Sequence, residues 1–204
     1  MTHSWDAQKT WGDSSEILKR VVNTLPKRRG YQAARFGDKT LHRKKDFGIW
    51  QRYSFSHVLN HVRKLALGLA ALGIKRGETV ALVGENEPEL FWAEYAAQAL
   101  GAVVVCMYPD LTPSQMEYIL IHSDAVTVIC EDQEQVDKVL EVQDNLPNIR
   151  KIIYWDERGM WKYRNPKLMT LTELEVAGEE HARRYENMFE EEVAKGKGDD
   201  SVHC

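Results

Sequence analysis

Apolar residues recur along the chain with two periods, and together they predict alternating helices and strands. The longest helical pattern repeats at three- and four-residue steps from Phe55 to Leu72. Ser54 precedes this pattern and suits a helix N-cap, and Gly73 suits the left-handed residue that closes a helix. The apolar stripe, which includes Leu65 and Leu69, predicts a helix with one face against a large buried surface.

Four continuous apolar runs predict strands that are covered on both faces; they comprise residues 79–83, 102–107, 125–130 and 150–154. Helix-start signals lie between the runs, at Asn86, Thr112 and Asp132. Because strand and helix alternate with short connections, we expect an α/β fold with a mainly parallel sheet and helices on both faces.

The patterns outside this region are less regular. Residues 1–13 show no periodicity and are expected to form a loose lead-in, followed by a helix that Pro26 ends. Residues 40–45 and 49–55 predict two strands of a hairpin, because a short gap with glycine separates them.

The last part of the chain gives two further predictions. Residues 156–167 combine glycine, proline and aromatic residues in the manner of an irregular loop. Thr170 and Glu173 form a capping box, which opens a helix that runs with interruptions to Val193.

Composition narrows the class of protein. The chain has 204 residues, 43% hydrophobic and 28% charged, which is typical of a globular domain with a sizeable core. Its net charge of −4 argues against a nucleic-acid binder. Basic clusters at residues 27–29 and 43–45 allow weak contact with an anionic membrane surface, although solvated loops of this kind are common. With no membrane-span or signal-peptide pattern, we expect a cytoplasmic protein.

Three cysteines occur, Cys106, Cys130 and Cys204, and no two of them form a CxxC pair. An odd count without such a pair argues against a disulfide framework or a zinc site. Cys106 and Cys130 each follow an apolar run, so we interpret them as small core residues near strand ends.

Two segments have the spacing of binding sites. The turn 84–88 joins a strand to a helix, where doubly wound proteins bind phosphates, but it lacks the GxGxxG pattern and a P-loop lysine. We therefore interpret Asn86 as a helix cap.

His57 and His61 are four residues apart, which is a spacing that metal sites use, but no HExxH glutamate lies between them. A solvated helix face is the favoured interpretation, and replacing His61 by alanine is expected to change stability little.

Other candidates are interpreted as structural. The acids 190–192 and Asp199–Asp200 are typical of solvated surface, and Trp92, Tyr95 and Tyr118 of packed or half-exposed helix positions. No arrangement supports acid–base or nucleophilic chemistry, so we assign no catalytic, cofactor-binding or metal residue.

Several short segments of the sequence resemble those of a known family, in the same order and with the same spacing. They are residues 53–55, 69–78, 84–89, 97–102, 131–138 and 154–156. The sequence resembles the N-terminal part of AMP-forming long-chain fatty-acid–CoA ligases, which are acyl-CoA synthetases of the adenylate-forming superfamily. The resemblance implies that residues 14–204 are the N-terminal portion of an AMP-binding domain, an incomplete subdomain that stops before the phosphate loop.

Such ligases use ATP, Mg²⁺ and coenzyme A to convert a carboxylate through an acyl-adenylate into a thioester. The resemblance places their phosphate loop and C-terminal lysine domain after Cys204, so no catalytic residue carries over and the chain alone is expected to be inactive. Tyr108-Pro109-Asp110 departs from the hydroxyl-rich loop of the family, which leaves fatty acid or another carboxylate open as substrate.

Three interpretations remain open at this point: an enzyme fragment, a free-standing acyl- or nucleotide-binding module, and one half of a split ligase that needs a separate C-terminal partner. For a fragment, we also expect exposed apolar surface, a free sheet edge and self-association.

Overall fold

The computed structural model describes residues 24–197 of the chain. These residues form seven α-helices: α1 (Leu25–Phe36), α2 (Phe55–Ala71), α3 (Pro88–Ala99), α4 (Pro113–His122), α5 (Gln133–Glu141), α6 (Leu171–Arg184) and α7 (Met188–Lys195). They also form seven strands: β1 (Thr40–Asp46), β2 (Ile49–Ser54), β3 (Thr79–Val83), β4 (Val103–Met107), β5 (Ala125–Cys130), β6 (Lys151–Tyr154) and β7 (Leu168–Thr170). No helix among the described residues is long and apolar enough to cross a membrane.

Strands β3 to β7 form one parallel sheet in the order β4-β3-β5-β6-β7. The four predicted strands are all present, and the predicted parallel arrangement is confirmed. The fifth strand, β7, was not predicted. It has three residues and pairs with β6, with Leu168 opposite Ile152. A segment this short has no period of its own, so its conformation depends on β6.

Helices cover both faces of the sheet, as predicted. Val80 and Leu82 of β3 pack in one core cluster with α2, α3 and α6. Ala81 and Val83, which point to the opposite face, pack with α4 and α5. The continuous apolar runs in the sequence follow from this arrangement, because successive residues of a strand enter different cores.

Helix α2 has the predicted boundaries and the predicted buried stripe. The Ser54 side chain accepts a hydrogen bond from the His57 N–H, and Leu65 and Leu69 are fully buried. The helix crosses α6 at glycines: a Cβ on Gly68 would lie 2.2 Å from the Leu174 carbonyl oxygen, and one on Gly178 would lie 1.9 Å from the Lys64 carbonyl oxygen. Backbone therefore meets backbone at this crossing, at a distance that only glycine allows.

The N-terminal part confirms one prediction and corrects another. The hairpin of β1 and β2 is antiparallel, as predicted, with Asp46 opposite Ile49. Pro26, however, lies in the first turn of α1, after the N-cap Thr24, and does not end a helix. Proline suits a first turn because its missing N–H is not needed there. The residues before Thr24 lie outside the described part, and so does most of the helix predicted there.

The later predictions are largely confirmed. Both capping boxes form, at Thr112 with Gln115 and at Thr170 with Glu173, and Asp132 caps α5. The predicted loop 156–167 is irregular except for a short 3₁₀ turn, Met160–Lys162. The final helix is interrupted, as expected, between α6 and α7.

Candidate functional site at the carboxyl edge of the sheet

The topology has one switch point, between β3 and β5. The helix after β3 packs in the first core cluster and the helix after β5 packs in the second, so the two connections leave on opposite faces. Crevices outside the carboxyl ends of such strands are where open α/β sheets bind ligands. The turn 84–88, singled out from the sequence, lies at this point.

Side chains close the crevice. A Cβ on Gly84 would lie 2.6 Å from Cη2 of Trp155 and 2.7 Å from Cβ of Glu131. Glycine at position 84 therefore lets the side chains that follow β5 and β6 pack over the end of β3. The Trp155 indole also donates a hydrogen bond from Nε1 to Glu87, at 3.4 Å.

Carboxylates surround this closed crevice. Glu131 accepts a hydrogen bond from the Glu85 N–H at 2.6 Å. Burial raises the pKa of Glu131; the Glu85 N–H opposes this effect, and the carboxylates of Glu87, Asp132 and Glu85 reinforce it. Arg158 forms an ion pair with the nearby Asp156. A phosphate placed here would meet carboxylates of its own sign.

Lys44 of the hairpin also reaches this edge. Its Nζ lies 2.7 Å from Glu87 and 3.6 Å from Glu89. Burial favours loss of the Lys44 proton, but the carboxylates of Glu87 and Glu89 outweigh this effect and raise the pKa of Lys44. The ammonium group therefore stays charged and paired with these two carboxylates. The residues present therefore do not fit the triphosphate of ATP. Among residues 24–197, no group of three or more His, Cys, Asp or Glu is placed to hold a metal ion.

Asn86 does not cap α3, contrary to the prediction. The helix starts at Pro88, which makes Glu87 the N-cap residue, and no side chain bonds the first helical N–H groups. The Glu87 carboxylate bonds Lys44 and Trp155 instead. Tertiary contacts from two distant segments thus replace the local cap.

The histidine pair is more than a solvated face, and that prediction was wrong for His61. His57 is exposed, but His61 is half-buried. The His61 ring stacks on Trp92 with centroids 4.4 Å apart, its Nδ1 contacts the Glu175 carboxylate, and its Nε2 lies 3.0 Å from His57 Nε2. Aromatic packing on Trp92 and polar contacts with Glu175 and His57 therefore account for the position of His61.

Trp92 is the centre of a cluster that joins the hairpin to α2 and α3. Its Nε1 donates to His42 Nδ1 at 3.2 Å, and Tyr53 meets its ring edge-on at 5.2 Å. Tyr95 is also buried, with Arg29 stacked on its ring at 4.3 Å. The prediction that Trp92 and Tyr95 are packed residues is confirmed. The cluster itself was missed, because its members are scattered over three distant segments.

Tyr118 and the cysteines differ in their exposure to solvent. Tyr118 is exposed and stacks on His122. Cys130 is buried, as predicted, and burial raises the pKa of its thiol. Cys106 is exposed, contrary to the prediction, because β4 is an outer strand of the sheet. Cys204 and Asp199–Asp200 lie outside the described residues.

Two of the three clustered acids at 190–192 form ion pairs on the surface. Glu190 pairs with Arg63, and Glu192 pairs with Arg76 and Lys195. The ion pairs with Arg63 and Arg76 therefore join α7 to the rest of the protein.

The sheet order and the switch point define a doubly wound α/β protein, in which Trp155 and Glu131 cover the carboxyl end of β3. A family model described as "AMP-binding enzyme" matches residues 31–193. The chain belongs to this family of AMP-binding enzymes.

Two relatives illustrate how far the likeness extends. The chain is 30% identical over 182 residues to the long-chain-fatty-acid–CoA ligase ACSBG2 of Xenopus laevis, covering 86% of this chain and 24% of the ligase. It is 27% identical over 146 residues to the long-chain-fatty-acid–CoA ligase ACSBG1 of Bos taurus, covering 72% of this chain and 20% of the ligase. The chain thus spans about a quarter or less of the relatives' length.

Solved structures confirm the fold. The anthranilate CoA ligase AuaEII in complex with anthranoyl-AMP superposes with a TM-score of 0.64 at 22% identity, covering 72% of this chain and 27% of that chain. Acetoacetyl-CoA synthetase from Streptomyces lividans superposes with a TM-score of 0.66 at 19% identity, covering 74% and 24%. Both matches take in only part of the larger enzymes.

Proposed function

We propose that this chain is the N-terminal scaffold of a cytoplasmic long-chain fatty-acid–CoA ligase and does not catalyse the reaction alone. The observation that carries the proposal is the match of 86% of the chain to 24% of the Xenopus ligase. In the complete enzyme, a fatty acid, ATP and coenzyme A would give acyl-CoA, AMP and pyrophosphate. ATP, Mg²⁺ and coenzyme A would be held by the remaining three quarters of such an enzyme.

The chemistry of the carboxyl edge supports the proposal that ATP would be held by another part of the complete enzyme. The end of β3 is covered by Trp155, and its surroundings are the carboxylates of Glu85, Glu87 and Glu131. Lys44, whose ammonium group contacts Glu87, is already paired. A triphosphate gains nothing from such a site, because charge repulsion is not offset by a positive partner. The edge instead fixes the relative positions of the hairpin, β3, β5 and β6.

The first experiment measures catalysis by the chain itself. The purified 204-residue chain is incubated with Mg-ATP, labelled pyrophosphate and palmitate, and the label entering ATP is followed. We expect no exchange above a protein-free control, and the Xenopus ligase serves as the positive control. Palmitate-dependent exchange by the chain alone would overturn the proposal.

The second experiment tests the scaffold role directly. Residues 31–193 of this chain replace the matching segment of the Xenopus ligase, and acyl-CoA formation from palmitate is measured. We expect the chimera to keep measurable activity, whereas the same ligase with an unrelated parallel α/β segment of equal length should have none. A folded, inactive chimera would contradict the scaffold role. Tight binding of ATP or palmitate by the chain alone, in equilibrium dialysis, would favour an independent binding module.

A further inference from the structure

The tip of the β1–β2 hairpin carries large apolar side chains that are mostly exposed. Phe47 is 95% exposed, Ile49 66% and Trp50 59%. Scattered apolar residues on a surface are ordinary, but three within four positions at the tip of a hairpin form a patch.

The backbone makes Phe47 harder to explain by folding alone. Phe47 and Gly48 form the turn, with φ values of 44° and 83°. Positive φ at both positions belongs to the tight hairpin turn that prefers asparagine, aspartate or glycine, and a bulky side chain is unfavourable there. Neither burial nor turn preference therefore accounts for a phenylalanine at position 47.

The outer face of the same hairpin is basic. The register places Arg43 opposite Arg52 and Lys45 opposite Trp50, and all of these alternate with residues that face the protein. The inward face is occupied: Lys44 pairs with Glu87, and His42 and Tyr53 contact Trp92. The outer residues Arg43, Lys45 and Arg52 are exposed.

This face is also unfavourable for the isolated protein. Like charges directly opposite each other in an antiparallel pair destabilise it, as Arg43 and Arg52 do here. Within residues 24–197, no carboxylate forms an ion pair with Arg43, Lys45 or Arg52. An apolar tip and an unneutralised basic face therefore occur on one small element, each of them unexplained by folding.

We infer that this hairpin docks on the surface of a bilayer that contains anionic lipid. Phe47, Ile49 and Trp50 would enter the boundary between headgroups and acyl chains, where amphipathic elements bury their apolar side to about 5–10 Å. Arg43 and Arg52 lie about 10 Å further back along the strands, at the depth of the lipid phosphates. The inference does not depend on the proposed ligase function.

The same cations would attract RNA, but the tip distinguishes the two partners. Stacking on bases uses aromatic rings, whereas the exposed Ile49 has no base-stacking role and suits hydrocarbon. A bilayer surface is therefore the partner that fits both the apolar tip and the basic face of the hairpin.

The test is flotation of the full chain with vesicles of phosphatidylcholine, with and without phosphatidylglycerol. We expect binding to the anionic vesicles only, and weaker binding as salt is raised. The variant R43Q/R52Q should lose affinity about twentyfold or more. The matched control R183Q/R184Q, which removes two exposed arginines of α6, should bind as the wild type does.

The variant F47N gives the sharpest result, because folding and docking predict opposite signs. Asparagine suits the turn, so the urea midpoint should rise or stay unchanged, while vesicle affinity should fall about tenfold. The control W161S removes a tryptophan that is 72% exposed elsewhere and should leave binding intact. D46N, which removes the acid beside the tip, should strengthen binding.

Three outcomes would overturn the inference. In the first, F47N and R43Q/R52Q bind vesicles as well as the wild type does. In the second, the chain ignores vesicles and instead binds single-stranded RNA through these residues. In the third, the tip residues alter only self-association in sedimentation velocity. Loss of vesicle binding would leave the ligase chimera experiment unaffected, so the two proposals can fail separately.

Discussion

The crossing of α2 and α6 makes a prediction that runs against ordinary helix propensity. Replacing a glycine inside a helix with alanine usually stabilises a protein, by about 1 kcal/mol. At Gly68 the added methyl would lie 2.2 Å from the Leu174 carbonyl oxygen and 2.8 Å from Leu174 Cγ. Ordinary contact begins near 3.4 Å, so the helices must move apart by more than an ångström at their closest point.

The cost of that movement sets the expected magnitude. Overpacking a well-packed core costs about 1–3 kcal/mol. Because the clash at Gly68 is with backbone, no side chain can turn away, and the upper end of that range applies. After the gain in helix propensity, Gly68→Ala should lower the free energy of unfolding by about 2 kcal/mol. Urea titration followed by circular dichroism measures it directly.

The chain contains a matched control. Gly30 lies inside α1, and a Cβ placed on it would have nothing within 4 Å. Gly30→Ala should therefore raise the free energy of unfolding by about 0.5–1 kcal/mol. If both substitutions stabilise the protein to a similar degree, the close approach of α2 and α6 does not exist in solution, and the reasoning is refuted.

Further predictions concern the core, the aromatic cluster and pH. Leu69→Ala, at a fully buried site, should cost about 2–5 kcal/mol in a urea titration. His61→Ala should cost about 1–2 kcal/mol, because it removes the stack on Trp92 and the contact with Glu175; no measurable cost would show that the cluster is not formed. Burial lowers the pKa of His42, with a smaller contribution from Arg29, and burial followed by His61 lowers that of His57. The unfolded chain then binds protons more readily below pH about 6.5, so stability should fall as pH drops from about 7.5 to 5.5, and H57Q should reduce that dependence.

The sheet and its helices could be predicted because their signals are local. The apolar runs of β3, β5 and β6 each contribute buried residues to both core clusters, and side-chain caps at Ser54, Thr112 and Asp132 mark helix starts within a few residues. Periodicity and capping depend on near neighbours, so a single sequence displays them.

The missed features depend on distant contacts. The N-cap of α3 was assigned to Asn86, but the start of the helix follows from Pro88 and from the partners of Glu87, which come from β1 and from the end of β6. Helix α1 was missed because Pro26 suits a helix start as well as a stop, and the positions around it carry few apolar residues.

The same limit applies to the candidate site. The sequence correctly placed the turn 84–88 between a strand and a helix. That its lack of a P-loop lysine argues against phosphate binding stays a prediction. That Trp155 and Glu131 fill the crevice could not be predicted, because it depends on the spatial neighbourhood of three strand ends. His61 was misjudged for a similar reason, since Trp92 and Glu175 come from other helices.

The glycine crossing also has a consequence for the protein while it is being made. The face of α2 around Gly68 meets α6, which begins roughly 100 residues after α2 ends. At about 5–20 residues per second, a ribosome needs about 5–20 s to add those residues. Throughout that interval the nascent chain displays an apolar helix face whose partner does not yet exist, and a chaperone that shields such surfaces can bind it there.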